Sequence, residues 1–171
     1  MIRIFKLTLL VFLFFITKAN SLIEIDITRG NLDPLPIAVS PLFQDDNSKK
    51  NSINELKVEN VGSEISSVVE NNLKTSGLFN PLSKEAFLQK PDIAHLKPRF
   101  EDWALIKAQA LITGKVTIEN QKLKVEFRLW DILAGREMMA LAFTTVPSNW
   151  RRVGHIISCL LYTSPSPRDF G

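Results

Sequence analysis

The chain has 171 residues, with 21 lysines and arginines against 18 aspartates and glutamates and a formal net charge of +3. The first 21 residues hold three of the basic residues and no acidic one, so the rest of the chain carries 18 of each and no net charge. A neutral chain lacks the basic surface on which nucleic-acid binding depends, so we expect no nucleic-acid partner. A single cysteine excludes an internal disulfide bond.

Residues 1–21 have the pattern of an export signal. Arg3 and Lys6 form a basic start, Leu7–Ile16 is a continuous apolar run, and small residues follow at the positions of a cleavage site. The apolar run is ten residues long, whereas a helix that spans a bilayer needs about 20. We therefore predict a cleaved signal and a mature chain that starts near Leu22, over the alternative of a retained membrane anchor.

The predicted mature N-terminus is an amphipathic strand. In Leu22–Thr28 isoleucines alternate with polar residues, and a period of two is typical of a β-strand with one buried face. Pro34 and Pro36 separate this strand from a second short apolar run, Ile37–Val39. A strand at the N-terminus can pair with the domain's own sheet or with a partner's sheet, and the residues alone leave both open.

The middle of the chain predicts a loop, a long helix and several short elements. Gln44–Asn60 is polar and predicts a long surface loop, with a helical turn around Ile53–Val58. Val61–Ser76 predicts a helix because its apolar residues recur at helical spacing, with Asn60 as its N-cap and Gly77 at its end. The next predicted elements are a short strand at Leu78–Leu82 and short helices at Lys84–Gln89 and Glu101–Lys107.

The last third predicts an antiparallel meander and a closing helix. Three runs of strand character follow one another across two turns, and apolar residues then return at helical spacing. These elements are the strands Ala108–Ile118, Lys122–Ile132 and Glu137–Val146 and the helix Asn149–Ser158. All elements together predict an α/β fold, with a mixed sheet of about five strands and helices packed on one face.

Cys159–Gly171 differs in character from the chain before it. It holds the only cysteine, the only tyrosine and a Ser-Pro-Ser-Pro run that interrupts an amphipathic segment. The sequence CLLYTSPSPRD is similar to the translation of a common transposase sequencing adapter. We therefore predict that residues 159–171 are adapter read-through after a truncated reading frame, over the alternative of a genuine, disordered proline-rich tail.

Residues that support catalysis or metal binding are few. His95 and His155 have no second histidine or cysteine at metal-ligand spacing. Gly114-Lys115 lacks the upstream glycine of a phosphate-binding loop, and the serines that begin predicted helices have no base spaced to activate them. We predict no catalytic residue, no metal site and no cofactor, which leaves binding as the function. The alternative, an exported α/β hydrolase or a sugar-binding domain, needs paired carboxylates or an activated nucleophile.

Several stretches match one protein family in the same order. They are LIEIDITRG, PIAVSPL, VVENNLKTSGLFNPL, LITGKV, FRLWDILAG and SNWRRVGHIIS. Through these stretches the chain resembles the N-terminal domain of the TolB family, of the Tol-Pal cell-envelope system, across nearly all of residues 22–158. It departs from the family in the Gln44–Asn60 loop, which is longer and more polar than expected.

The resemblance implies a fold, a location and a role. Family members carry an α/β domain followed by a six-bladed β-propeller, which would be missing from this chain. They are non-enzymatic adaptors in the periplasm that support outer-membrane invagination during cell division and envelope integrity. Colicins and phage exploit the same system for import.

The resemblance also implies two protein partners and no small-molecule substrate. Family members bind the lipoprotein Pal through the propeller and the inner-membrane protein TolA through their mature N-terminus. Carried over to this chain, the TolA-binding segment falls on residues 22–33, with Gly30, Pro34 and Pro36 as its hinge and stop. The strand residues expected to contact TolA are Leu22, Ile23, Glu24, Ile25, Asp26, Ile27 and Thr28.

Overall fold

The computed structural model describes residues 33–163. Within this range the chain forms six strands and five helices, with 3₁₀ turns at Lys84–Ala86 and Pro147–Asn149. The strands are β1 (Leu35–Val39), β2 (Phe43–Gln44), β3 (Phe79–Pro81), β4 (Ala110–Glu119), β5 (Lys122–Asp131) and β6 (Arg136–Thr145). The helices are α1 (Asp46–Leu56), α2 (Val61–Ser76), α3 (Pro91–Ala94), α4 (Phe100–Leu105) and α5 (Trp150–Thr163). Among the described residues, no helix is both long enough and apolar enough to span a bilayer.

The six strands belong to one mixed sheet. Five of them lie in the order β3-β1-β4-β5-β6, and β2 pairs with β4 farther along than β1 does. β1 runs parallel to both of its neighbours, whereas β4, β5 and β6 form an antiparallel meander. The predicted α/β class, the mixed sheet and the meander are therefore confirmed.

The larger hydrophobic core lies between the sheet and the two long helices, α2 and α5. Each helix turns its periodic apolar residues toward the sheet, and every second residue of β5 meets them. The helices cross closely, because a Cβ at Gly154 would lie 2.8 Å from the Val68 side chain. Fully buried members of this core include Ile37, Ile65, Leu73, Ile118, Leu123 and Phe127. Burial of each such side chain contributes about 1.5–3 kcal/mol.

A second, smaller core covers part of the opposite face of the sheet. Trp103 of α4 is 1% exposed and packs with Leu111 and Trp130. The Trp103 indole N–H donates to Oε1 of Gln89 at 3.0 Å, and the Trp130 indole N–H donates to the Thr113 hydroxyl at 2.8 Å. The two long helices thus pack on one face as expected, and the short helices α3 and α4 cover part of the other.

The predicted loop at Gln44–Asn60 is wrong, because most of it forms α1. The Asp45 carboxylate caps this helix by accepting from the Ser48 backbone N–H at 2.8 Å. The buried face of α1 carries serines instead of apolar residues, and the Ser48 hydroxyl accepts from the Ile118 N–H at 3.2 Å. A helix that is attached through hydroxyl groups shows no apolar stripe, so its sequence resembles a loop.

Several predicted element bounds also need correction. In place of the helix predicted at Lys84–Gln89 there is only a 3₁₀ turn, and the short helix α3 has no predicted counterpart. The helix predicted at Glu101–Lys107 is α4, which begins one residue earlier, at Phe100, and ends two residues earlier, at Leu105. The last helix does not end at Ser158 but continues to Thr163, because Leu161 extends its apolar face into the larger core. The origin of residues 159–171 stays a prediction.

Candidate functional site

The predicted binding strand, Leu22–Thr28, lies outside the described residues, and so does Gly30. The structure shows where that segment joins the domain. Asp33 and Pro34 are exposed and lie outside any helix or strand, and β1 begins directly after them. The attachment point of the predicted segment is therefore the start of a strand in the interior of the sheet.

The start of β1 is held on both sides. The Leu35 N–H donates to the Leu78 carbonyl at 2.9 Å, and the Gln109 N–H donates to the Pro36 carbonyl at 3.0 Å. Ile37 follows with no exposed surface. Backbone hydrogen bonds and core packing therefore fix the start of β1, which is the point at which the preceding chain joins the sheet.

Pro36 lies inside β1 and not ahead of it. Its missing N–H costs no hydrogen bond of the ladder with β4, because the pairing of the two strands begins one residue later, at Ile37 and Ala110. Of the three residues predicted as hinge and stop, Pro36 has a fixed position in the sheet and Pro34 is the last residue before the strand.

A groove lies on the open face of the meander. It has a volume of about 400 Å³, and its lining includes Lys115, Glu126 and Arg128 from the strands with His95 and Leu96 beside them. Glu126 is the only carboxylate in the lining, which contains no serine, threonine or cysteine. This groove therefore lacks the paired carboxylates or the nucleophile that the hydrolase alternative needs.

The charged groups around this groove form ordinary surface ion pairs. Glu126 pairs with Lys124 at 2.9 Å, and the Arg128 guanidinium lies 3.3 Å from Glu137. Pairs of this exposure contribute about 0–1 kcal/mol each to stability. Their alternating signs along the strands favour a solvated sheet face over an anion-binding or cation-binding site.

The two histidines have structural neighbours. The His95 ring stacks on Phe43 with 4.5 Å between ring centroids, and its Nδ1 lies 3.0 Å from the Pro91 carbonyl. The His155 Nδ1 lies 2.9 Å from Nδ2 of Asn72, which also donates to the Ser158 hydroxyl. Within residues 33–163 no group of three or more histidine, cysteine or acidic side chains is placed to hold a metal ion.

One carboxyl group has a shifted pKa. The Asp45 carboxylate accepts a hydrogen bond from the Ser48 backbone N–H, and this bond holds its pKa below the ordinary value of 3.8. Burial acts in the opposite direction. Lys115, whose Nζ lies 3.9 Å away, lowers that pKa further. Since the shift follows from helix capping, it marks a structural carboxylate and not a general acid or base.

Comparison with known proteins gives a family match and a fold match. The model of the TolB amino-terminal domain matches residues 23–138. The Tol-Pal system protein TolB of Pelagibacter ubique (strain HTCC1062) is 74% identical over 145 residues. That match covers 85% of this chain and 32% of the relative, so the chain spans about a third of the relative's length.

The fold match is to the crystal structure of TolB from Acinetobacter baumannii. Its TM-score is 0.58 at 19% identity, and it covers 75% of this chain and 27% of that one. At this level of identity the likeness concerns the fold alone. The mixed sheet and its helices therefore have a counterpart in a solved structure.

Proposed function

The chain belongs to the TolB amino-terminal domain family, and from this membership we propose that it is a periplasmic adaptor of the Tol-Pal envelope complex without enzymatic activity. Its partner in this proposal is a TolA-like inner-membrane protein, which it binds through its N-terminal strand. The proposed work of the complex is outer-membrane invagination during cell division and envelope integrity. Residues 1–21 are the proposed export signal.

One observation carries the proposal. Leu22–Thr28 alternates isoleucines with polar residues, and an interior strand of the sheet begins at Leu35. A strand pattern that precedes such an anchor is suited to pair with a second sheet while the domain stays folded. The TolB relatives supply the reason to place that second sheet in the Tol-Pal system.

The proposed mechanism is β-augmentation, in which an extended segment adds a strand to the edge of a partner's sheet. Main-chain hydrogen bonds supply affinity, and Ile23, Ile25 and Ile27 fill alternate pockets on the partner. Glu24, Asp26 and Thr28 then face solvent on the other side of the new strand. In this mechanism Gly30 allows the segment to swing, and the Pro34/Pro36 pair stops the motion, since Pro34 directly precedes β1 and Pro36 lies in it.

A competing state keeps the same strand in the domain's own sheet. The two states make different use of the isoleucine face, because only the partner-bound state buries it against another protein. A change confined to that face therefore separates them. We propose that the partner-bound state is the functional one.

A second proposed partner belongs to the longer relatives. A Pal-like lipoprotein would bind the propeller that follows this domain in the family, so the domain alone offers no Pal surface. No nucleic acid and no small-molecule substrate enter the proposal, because the chain after the signal is neutral and the groove on the meander lacks a catalytic set.

The proposal is tested by deletion of residues 22–33 from the chain without its signal. Calorimetric titration with the periplasmic part of a TolA-like protein should show saturable binding to the parent chain and none to the deletion variant. Thermal unfolding followed by circular dichroism should give closely similar midpoints for both, since β1, which is paired on both sides, begins after the deleted residues. Unchanged affinity after the deletion would refute the proposal.

A matched pair of variants tests the isoleucine face. Replacement of Ile23, Ile25 and Ile27 by serine should abolish the titration signal, because the pockets on the partner lose their apolar ligands. Replacement of Glu24, Asp26 and Thr28 by serine keeps the apolar face and should leave affinity within about threefold. Equal losses in the two variants would argue against a strand with one bound face.

A further inference from the structure

β6 forms a long free margin of the sheet. It has ten residues, pairs only with β5 among the described strands, and carries no charged residue from Met138 to its end at Thr145. Val146 follows it and is 52% exposed. Sheet margins in soluble domains are usually protected by charges, prolines or short strands. β6 lacks all three of these along most of its length.

A groove runs along the inner side of this margin, between β6 and α5. Its volume is about 210 Å³. Phe143, Val153 and Ile156 give it an apolar floor, and Asn149, Thr145 and Arg152 contribute polar groups. A strand paired with β6 would direct every second side chain into this groove. One extended segment can thus pair with the β6 backbone and place its side chains on the apolar floor of the groove.

The charge of α5 favours an acidic occupant. The helix contains no aspartate or glutamate, and two arginines stand in its first turn. Arg151 stacks over the Trp150 ring at 4.2 Å from the ring centroid, whereas Arg152 lines the groove. Arg152 is exposed and has no ion pair within residues 33–163. An occupant that carries a carboxylate beside its apolar side chains would satisfy this guanidinium.

The same charge disfavours a second copy of the chain. A two-fold pairing of β6 with β6 would bring two copies of α5 to the same face of the joined sheet. Each would present Arg152 without an acidic residue from the other α5. Like charges at such a junction are destabilising, so a heterologous segment fits better.

We propose that the margin of β6 and its groove accept an extended segment of another protein, with apolar side chains at alternate positions and one carboxylate placed for Arg152. The domain then has an acceptor edge of its own, separate from the N-terminal strand that it offers to a partner. Strand geometry at about 3.4 Å per residue gives β6 room for a segment of up to ten residues. This inference does not depend on the proposed function.

The test uses a labelled synthetic peptide in which valines alternate with threonines and one threonine near an end is replaced by glutamate. A second peptide carries lysine in place of the glutamate, and a third has methyl groups on all of its backbone amides, so that neither edge can pair. Fluorescence polarisation with the chain without its signal should show saturable binding of the glutamate peptide. Binding of the lysine peptide should be at least tenfold weaker, and the methylated peptide should not bind.

Two variants of α5 give a matched control. Arg152→Glu should weaken binding of the glutamate peptide at least tenfold and strengthen binding of the lysine peptide. Arg151→Glu removes a neighbouring exposed arginine that does not line the groove, and it should change neither affinity by more than about twofold. Amide exchange in residues 138–145 should slow in the peptide complex.

Three results would overturn the inference. The first is the absence of saturable binding, or equal effects of the two arginine substitutions. The second is self-association of the chain in analytical ultracentrifugation that is lost in the presence of the glutamate peptide, which would assign the margin to a second copy. The third is binding that occurs only after deletion of residues 22–33, which would assign the margin to the chain's own N-terminal segment.

Discussion

The two margins of the sheet differ in length, composition and packing. β3 has three residues, ends at Pro81, and packs its Phe79 ring 6.1 Å from that of Tyr162. β6 has ten residues, contains no proline, and leaves an open groove beside α5. The β3 margin is therefore closed to a further strand by its own brevity and by proline, whereas the β6 margin is open.

This difference follows the way the sheet is anchored. β1 joins β3 to the centre through hydrogen bonds on both sides, and its Ile37 is fully buried. β6 is attached through β5 and through half-buried side chains such as Phe143. The half of the sheet around β1 is therefore a fixed base for the N-terminal segment. The half around β6 exposes backbone groups and side chains to which a partner can bind. Substitutions at the centre of the sheet should therefore lower the free energy of unfolding more than substitutions at the open margin.

The largest loss of stability is expected from Gly114→Ala at the centre of the sheet. A Cβ at this position would overlap the Glu126 carbonyl oxygen and would lie 2.9 Å from the Leu42 side chain. Overlap with backbone cannot be relieved by a rotamer change, so the free energy of unfolding should fall by about 3 kcal/mol or more. Urea unfolding monitored by circular dichroism measures this loss.

The control for this glycine lies in the turn that leads into β6. At Gly135 the nearest atom to an added Cβ is a carbon of Phe100 at 3.8 Å, and φ is +63°. Gly135→Ala should therefore cost only the backbone strain of the left-handed conformation, about 1–2 kcal/mol. Similar losses for the two substitutions would contradict the contrast between centre and margin.

Side-chain truncation should give the next largest difference. Ile37→Ala in β1 should lower the free energy of unfolding by about 2–5 kcal/mol, because the side chain is fully buried and leaves a cavity. Leu141→Ala in β6 should lower it by less than about 1 kcal/mol, because that side chain is already 41% exposed. Denaturant unfolding of both variants checks the ratio, and a larger loss at Leu141 would reverse the assignment of the anchored half.

The second core should respond to Gln89→Leu with an intermediate loss. The Gln89 Oε1 accepts from the Arg99 backbone N–H and from the Trp103 indole N–H, both at 3.0 Å. Removal of this acceptor leaves two donors unsatisfied, which should cost about 1–3 kcal/mol. The tryptophan fluorescence spectrum should shift as the Trp103 indole loses a partner. Gln89→Glu keeps the acceptor and should leave the spectrum unshifted, although its buried carboxylate lowers stability. An unshifted spectrum after Gln89→Leu would contradict the assignment.

The smallest expected effect is the pH dependence that comes from Asp45. Because its pKa is lower in the folded chain than its ordinary value of 3.8, the group stabilises the fold above pH 3.8. This contribution is lost as the pH falls through the folded-state pKa. Asp45→Asn keeps the acceptor for the Ser48 N–H and should flatten the stability profile below pH 3.8. Identical acid unfolding of parent and variant would exclude the contribution.

The periodic elements are predictable from the sequence because their apolar residues follow the geometry of the element. In α2 the buried residues Val61, Ile65 and Val69 recur at helical spacing, and β5 alternates cleanly. α1 escapes such prediction because its buried contacts come from Ser48 and from Asn51, whose side chain donates to the Ile118 carbonyl at 2.7 Å. Polar attachment leaves no hydrophobic period to detect.

The two proposed binding surfaces also differ in how far a local sequence pattern predicts them. The N-terminal strand shows its pattern in seven consecutive residues, Leu22–Thr28, which need no tertiary information. The β6 groove depends on the order of the strands in the sheet and on the position of Arg152 relative to Phe143. The strand order cannot be read from a local pattern, because β1 pairs in parallel with β4, which is distant in sequence. Composition suggests that β6 is a strand, but only the sheet shows that it is a margin.

The most direct test of the central proposal is amide hydrogen exchange of the chain without its signal, measured with and without the periplasmic part of a TolA-like protein. Addition of the partner should slow exchange by at least tenfold at alternate amides of Leu22–Thr28, because strand pairing protects every second N–H on one edge. Exchange within β1 should stay unchanged, since that strand is already paired on both sides. Exchange in Leu22–Thr28 that stays fast in the complex would contradict β-augmentation by this strand.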